Sequence, residues 1–203
     1  MIPQIPNHYY FPNRQSFLEW LLDNHQTTAE AWLLWPDPNP DYALLPYLEA
    51  VLEALCFGWV DGVEKRIDPA WKAQRFTPRR PKSRWTELNK ERCRQLIAAG
   101  FMTEAGARIL PNLDVDAFSI PIDIMEALKA NDRAWANFQH LPDAYVRIRI
   151  DYVEERRKLP TEFVKSLKSF VEKTAEGKLF GYFLPEIGID TKGKNQIFIK
   201  DMP

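Results

Sequence analysis

The stretch Ala54–Trp85, ALCFGWVDGVEKRIDPAWKAQRFTPRRPKSRW, limits the available folds more than any other part of the chain. An apolar helical stripe, Leu44, Leu48, Val51, Leu52 and Leu55, runs up to Gly58 and stops there. Two runs rich in β-branched and aromatic residues follow, Trp59 to Ile67 and Lys72 to Thr77, on either side of Asp68-Pro69. Such runs around a turn dipeptide read as a hairpin. The prolines of the next loop, ThrProArgArgProLysSer, lack the amide hydrogen a ladder needs, so the hairpin ends there. Helix and sheet are therefore both required, and an α+β fold is expected.

The neighbouring segments extend that expectation. Pro3, Pro6 and Pro12 mark an extended arm, and Ser16 with Glu19 forms a capping-box pattern ahead of Phe17, Trp20, Leu21 and Leu22. AWLLW, residues 31–35, is a short apolar run halted by Pro36, Pro38 and Pro40, so it reads as a buried strand that joins the hairpin in a small, mostly antiparallel sheet. Pro46 opens the helix before Gly58. Thr86 caps a helix that Gly100 ends, and Thr103 caps a shorter one before Pro111. Residues 1–112 thus form an α+β domain and 112–121 a boundary loop. A helical segment occupies 120–177, with helices near 122–130, 132–139, 143–157 and 161–176. Residues 178–203, ending in alternating NQIFIK, form a tail or an edge strand.

Charge is distributed unevenly. Glu64–Arg94 holds 11 Lys and Arg against 4 Asp and Glu, whereas the whole 203-residue chain has a formal net charge of −1. A basic middle on an acidic body points to local anion affinity rather than a nucleic-acid coat. The helices around AAGFMTEAGARIL have helix-turn-helix spacing. The second is too short for a recognition helix and carries one basic residue, Arg108, so nucleic acid is disfavoured as a partner. The N-terminal MIPQIPNHYYFPNRQSF has no charged start and no apolar h-region, and no stretch is long enough to span a bilayer, so a cytoplasmic protein is expected. Cys56 and Cys93 suggest no disulfide framework. Cys56 falls at a helix C-terminus, where a thiolate is disfavoured, so a buried structural thiol is expected. No His, Cys or Asp cluster has metal-ligand spacing and no phosphate loop is present, so neither a metal nor a cofactor is expected.

The candidate ligand surface is the hairpin and its flanks: Trp59, Asp61, Arg66, Arg75, Arg79, Arg80, Ser83, Trp85 and Asn89. Arginine forks match carboxylate or phosphate oxygens in pairs, and prolines would hold Arg79 and Arg80 stiff and outward. Strand alternation puts Glu64 and Arg66 on one face, with Asp61 and Lys65 on the other. An equally weighted alternative is a structural network in which Asp61, Glu64 and Asp68 pair with these arginines. Asp61 reads as a turn-former in Gly-Trp-Val-Asp-Gly, or as a general base.

ALCFGWVDG, RFTPRRPKSRW and Asn89 together resemble the hallmark of the bacterial YdeI/OmpD-associated, or bacteriocin-protection, family. The order of Phe17-x-x-Trp20-Leu21, then Tyr47, Glu49 and Ala50, then AAGFMTEAG fits as well. The resemblance is close from Phe17 to Ala107 and weaker beyond, where DAYVRIRIDYVEERRKLPTEFVKSL keeps part of the family's pattern. It implies a stress-response role in antimicrobial-peptide resistance, with an envelope-protein partner, and brings no catalytic residue. The expected function is a non-enzymatic binder of an anionic small molecule or peptide. The alternatives are a small enzyme acting on an anionic substrate with Asp61 as base, and a nucleic-acid-associated module.

Overall fold

The structure, a computed structural model, describes residues 1–37 and 41–181. The chain forms two compact units: Met1–Arg84 with Cys93–Pro111, and Trp85–Arg92 with the chain from Asn112 onward. The NQIFIK segment, expected as a tail or an edge strand, lies outside the described residues.

The first unit is a four-stranded sheet with helices. Its strands are β1 (His8–Tyr10), β2 (Ala31–Pro36), β3 (Trp59–Asp68) and β4 (Trp71–Pro78), in the order β1-β2-β4-β3. β2 and β3 each pair antiparallel to β4, as expected for AWLLW and the hairpin. The arm read as merely extended supplies β1, which pairs parallel to β2 through His8 and Trp32. α1 (Arg14–Asn24) begins earlier than the Ser16 reading, because Asn13 is the cap and accepts from the Ser16 amide at 2.9 Å. α2 (Tyr47–Cys56) follows Pro46 and buries every residue from Ala50 to Cys56.

Rings join these helices to one sheet face. Phe17 lies 5.9 Å from Phe76, and Trp20 meets Trp59 edge-on at 5.8 Å. Trp59, Phe76 and Leu33 are buried there. The other face holds a second apolar cluster of Trp32, Leu34, Trp71 and Ala73, with Ile2, Tyr10, Tyr42 and Ile67 against it. Full burial of one such ring stabilises by about 2–3 kcal/mol, so both faces are held by the core.

Simple alternation along β3 fails. The register shifts between Asp61 and Glu64, from Asp61 opposite Phe76 to Glu64 opposite Gln74. One extra residue in a strand exchanges its faces beyond the bulge. Asp61 therefore shares a face with Glu64 and Arg66, while Lys65 lies on the other. The Gly-Trp-x-Asp-Gly motif is likewise not a turn. Gly58 at φ +75° makes the turn, and Trp59 already starts the strand.

α4 (Glu104–Ala107) is capped by Thr103, whose hydroxyl accepts from the Gly106 amide and donates to the Cys56 carbonyl at 2.6 Å. A side chain at Gly106 would put Cβ 2.3 Å from that same carbonyl, so the approach needs glycine. Cys56 itself is buried, and burial pushes its thiol well above the ordinary range, as expected for a structural cysteine.

α3 (Glu87–Ala98) belongs to both units, the first as far as Arg92 in the second unit and the rest in the first. The second unit adds α5 (Ile122–Lys129), α6 (Asp132–Phe138), α7 (Asp143–Glu154) and α8 (Pro160–Ala175). These agree closely with the periodicity of the sequence. Ile124, Leu128, Phe138, Ile150, Val153 and Phe170 form their core. Asn137 donates to the Thr174 carbonyl at 2.9 Å, satisfying an acceptor that the end of α8 leaves open.

Candidate functional site

The hairpin arginines are spread along the strands rather than gathered in a groove. Arg66 pairs with Lys72 near the turn, whereas Trp59 pairs with Pro78 at the opposite end. Strand rise of about 3.3 Å per residue separates those ends by some 20 Å. Their donors are also engaged. Arg66 reaches Asp37 and the Pro69 carbonyl. Arg75 donates to Glu30 at 2.7 Å, and that bond holds the Glu30 carboxyl below the usual range. Arg79, expected to point outward, is 7% exposed, and its guanidinium donates to the Arg84 carbonyl at 3.0 Å.

The remaining residues of that set are dispersed. Trp59 is 1% exposed and its indole donates to the His25 carbonyl. Asp61 accepts from the Tyr47 hydroxyl. Arg80 is exposed, and Ser83 is half-buried beneath Arg79. Trp85 and Asn89 fall in the second unit, where Asn89 accepts from Arg92. Arg66 and Arg75 are thus ion-paired, but with Asp37 and Glu30 rather than with the Asp61, Glu64 and Asp68 expected of a structural network.

The second unit holds a cavity of about 630 Å³. Its walls come from the start of α3 (Thr86, Leu88), from α7, from α8 (Ser166, Ser169) and from Phe180. Asp151 of α7 caps α3 by accepting from the Glu87 amide at 3.0 Å, and Arg147 pairs with Glu91 at 3.1 Å. Phe180 is fixed by its amide, which donates to the Tyr145 hydroxyl at 3.2 Å.

Arg149 lies in this wall and is 7% exposed. Its guanidinium carbon sits 4.6 Å from the centre of the Tyr152 ring and 4.4 Å from that of Phe180. Its Nε is buried with no hydrogen-bond partner, and no ion pair reaches it among the described residues. Burial lowers its pKa, and the nearby charge of Arg156 lowers it further. Gly181 lies beside it in a backbone conformation that favours glycine. Its φ is +72°, and a Cβ there would meet Nη1 at 2.3 Å. Burying a charge without a counter-charge is costly, and the two rings offset part of that through cation–π attraction. Arg156, one turn beyond Tyr152, places its guanidinium carbon 3.5 Å from the same ring centre. Lys165 is neutralised by Glu162 at 3.0 Å.

Sequence reasoning missed this site. A signal existed, because Arg149 stands four residues from both Tyr145 and Val153, on the buried stripe of α7.

Residues 117–177 match the family described as Bacteriocin-protection, YdeI or OmpD-Associated. The second unit resembles that family. The resemblance therefore holds, but in a different part of the chain from the motifs that suggested it. Residues 9–109, with the hairpin, match instead a domain of unknown function, DUF8412. No curated protein and no solved structure matches the chain. The bacteriocin-protection-like unit includes α7 and α8, and so most of the cavity wall. Among the described residues no helix is long and apolar enough to cross a membrane.

Proposed function

We propose that this chain is a cytoplasmic, non-enzymatic protein of the bacteriocin-protection type that binds an anionic ligand in the cavity of its second unit, with the hairpin as scaffold. The observation that supports this reading is Arg149, a buried guanidinium with no carboxylate partner among the described residues, in the wall of a cavity of ligand size. A guanidinium set against two rings keeps its in-plane fork, which fits carboxylate or phosphate oxygens. The apolar wall of Leu88 and Ile148 gives the ligand's body somewhere to lie.

Titration of the full chain with benzoate and with phenyl phosphate, followed by calorimetry, tests it. Saturable binding of at least one anion is expected. Arg149→Met, which keeps a polarisable side chain beside the rings, abolishes it, and Arg66→Ala/Arg75→Ala leaves it unchanged. Binding that survives Arg149→Met but is lost in the hairpin variant overturns the proposal and returns the site to the hairpin.

A second reading has one observation of its own. The Tyr47 hydroxyl donates to Asp61, an arrangement that could serve a small enzyme with Asp61 as base. Turnover of an anionic substrate lost in Asp61→Asn, with binding retained, would establish it.

A further inference from the structure

An anionic group at Arg149 accounts for one side of the cavity, and the other side carries the opposite charge. We infer that the ligand is a zwitterion with well-separated charges, its carboxylate at Arg149 and its ammonium at Glu155. The inference rests on the cavity being the anion site, and adds the group at the ligand's other end.

The charges of the wall balance. Arg149, Arg156 and Lys165 line it together with Asp151, Glu155 and Glu162. Lys165 pairs with Glu162 at 3.0 Å, yet neither arginine has a carboxylate partner among the described residues. A bare anion would leave this wall with surplus negative charge, whereas a zwitterion keeps it balanced.

Helix geometry holds the two signs apart. Successive residues of α7 turn by about 100°, so Arg149 and Asp151 project from nearly opposite flanks. Glu155, four residues beyond Asp151, keeps helical backbone and stays near the Asp151 side. Contacts agree with that division. Arg149 lies against Phe180 with Gly181 beside it, whereas Asp151 accepts from the Glu87 amide at the start of α3. Ile148 and Tyr152 fall between the flanks and form an apolar strip from one sign to the other. Arg149 is buried and Glu155 is exposed, so the carboxylate end is the dry one and the ammonium end meets water. A carboxylate has room for about four donors, so Glu155 takes an ammonium beside its existing interactions.

Separation selects the ligand's length. Glu155 follows Arg149 by six residues, a rise of about 9 Å along the helix axis. An α-amino acid carries both charged groups on one carbon and does not reach that far. Two residues of extended peptide span about 7 Å, and contacts of about 2.8 Å at each end complete the distance. A linear ω-amino acid offers similar charge spacing on a methylene chain. Thr86, Ser166 and Ser169 also line the wall, and their hydroxyls suit the peptide bond of a dipeptide.

Two pairs of probes, each differing only in the ammonium, test this by calorimetry on the full chain: hexanoate against 6-aminohexanoate, and acetylalanine against glycylalanine. At fixed ionic strength the ammonium member of at least one pair is expected to bind at least about threefold more tightly, the scale of one solvent-exposed ion pair. The pair that shows the preference tells a methylene chain from a peptide as the ligand's body. Glu155→Gln is expected to remove the preference by weakening the ammonium member, and Glu155→Asp to recover part of it. Ammonium members that bind no better than their partners, with all binding lost in Arg149→Met, would overturn the zwitterion and leave the anion site standing. A preference that survives Glu155→Gln would overturn it as well. Absence of binding by every probe, or binding unaffected by Arg149→Met, would overturn both readings. Circular dichroism of each variant confirms that the fold is kept.

Discussion

The arginines of the hairpin and those of α7 meet opposite surroundings. Around the hairpin, Arg66 reaches Asp37, Arg75 reaches Glu30 and Arg79 reaches backbone carbonyl oxygen, all within the first unit. In the second unit Arg149 and Arg156 share the ring of Tyr152, and neither has a carboxylate partner among the described residues. The density of cationic residues along the sequence is far higher in the hairpin. What distinguishes a place for a ligand is the balance left after local pairing, and by that measure the sparser region is the more open one. Ion-pair networks and anion sites draw on the same residue types, so composition does not separate them.

Arg79 gives the largest test of this contrast. Removing a buried guanidinium leaves the Arg84 carbonyl and the Ser83 hydroxyl short of a donor, and hydrogen bonds to charged groups are worth about 1.5–3 kcal/mol. Arg79→Ala is therefore expected to destabilise the first unit by about 2–3 kcal/mol. Urea unfolding followed by hydrogen exchange at first-unit amides measures it for that unit alone. A loss below about 0.5 kcal/mol would mean that the hairpin network is not holding the scaffold.

Arg149→Met should behave in the opposite way. Replacing an uncompensated buried charge with an apolar chain of similar reach is neutral or stabilising, and methionine sulfur keeps contact with Tyr152 and Phe180. Without ligand, the second unit is expected to hold its stability or gain up to about 1 kcal/mol, read by exchange at α7 and α8 amides. A loss of 2 kcal/mol or more would show that Arg149 is a structural member like Arg79, and the contrast between the two regions would collapse.

Much of the architecture was legible from residue pattern. The hairpin, AWLLW and all four helices beyond Pro121 follow from residue pattern, with Pro46, Gly58 and Thr103 at element ends. The failures are those of non-local geometry. β1 depends on a parallel partner more than twenty residues away, which no local pattern encodes. The bulge after Asp61 exchanges the faces of β3, so strict alternation misplaced Asp61 relative to Glu64 and Arg66. The candidate site was misplaced for a related reason. Pairing of Arg75 with Glu30 spans 45 positions, and nothing near either residue announces it. Arg149, by contrast, was readable as a cation on an apolar stripe.

The smallest expected effect belongs to that Arg75–Glu30 pair, which is partly exposed and screened by solvent. Its pH dependence is nonetheless specific. The bond from Arg75 lowers the Glu30 pKa in the folded state below its unfolded value of about 4.3. The unfolded chain thus binds the proton more readily, and the contribution of the pair is present above about pH 4.3 and disappears as pH falls through the folded value. The difference in urea midpoint between the natural chain and Glu30→Gln should accordingly shrink between pH 6 and pH 3. A difference that stays constant over that range would mean that Glu30 is not ion-paired in solution. Arg75 would then be as uncompensated as Arg149, and the hairpin would regain a claim to an anion.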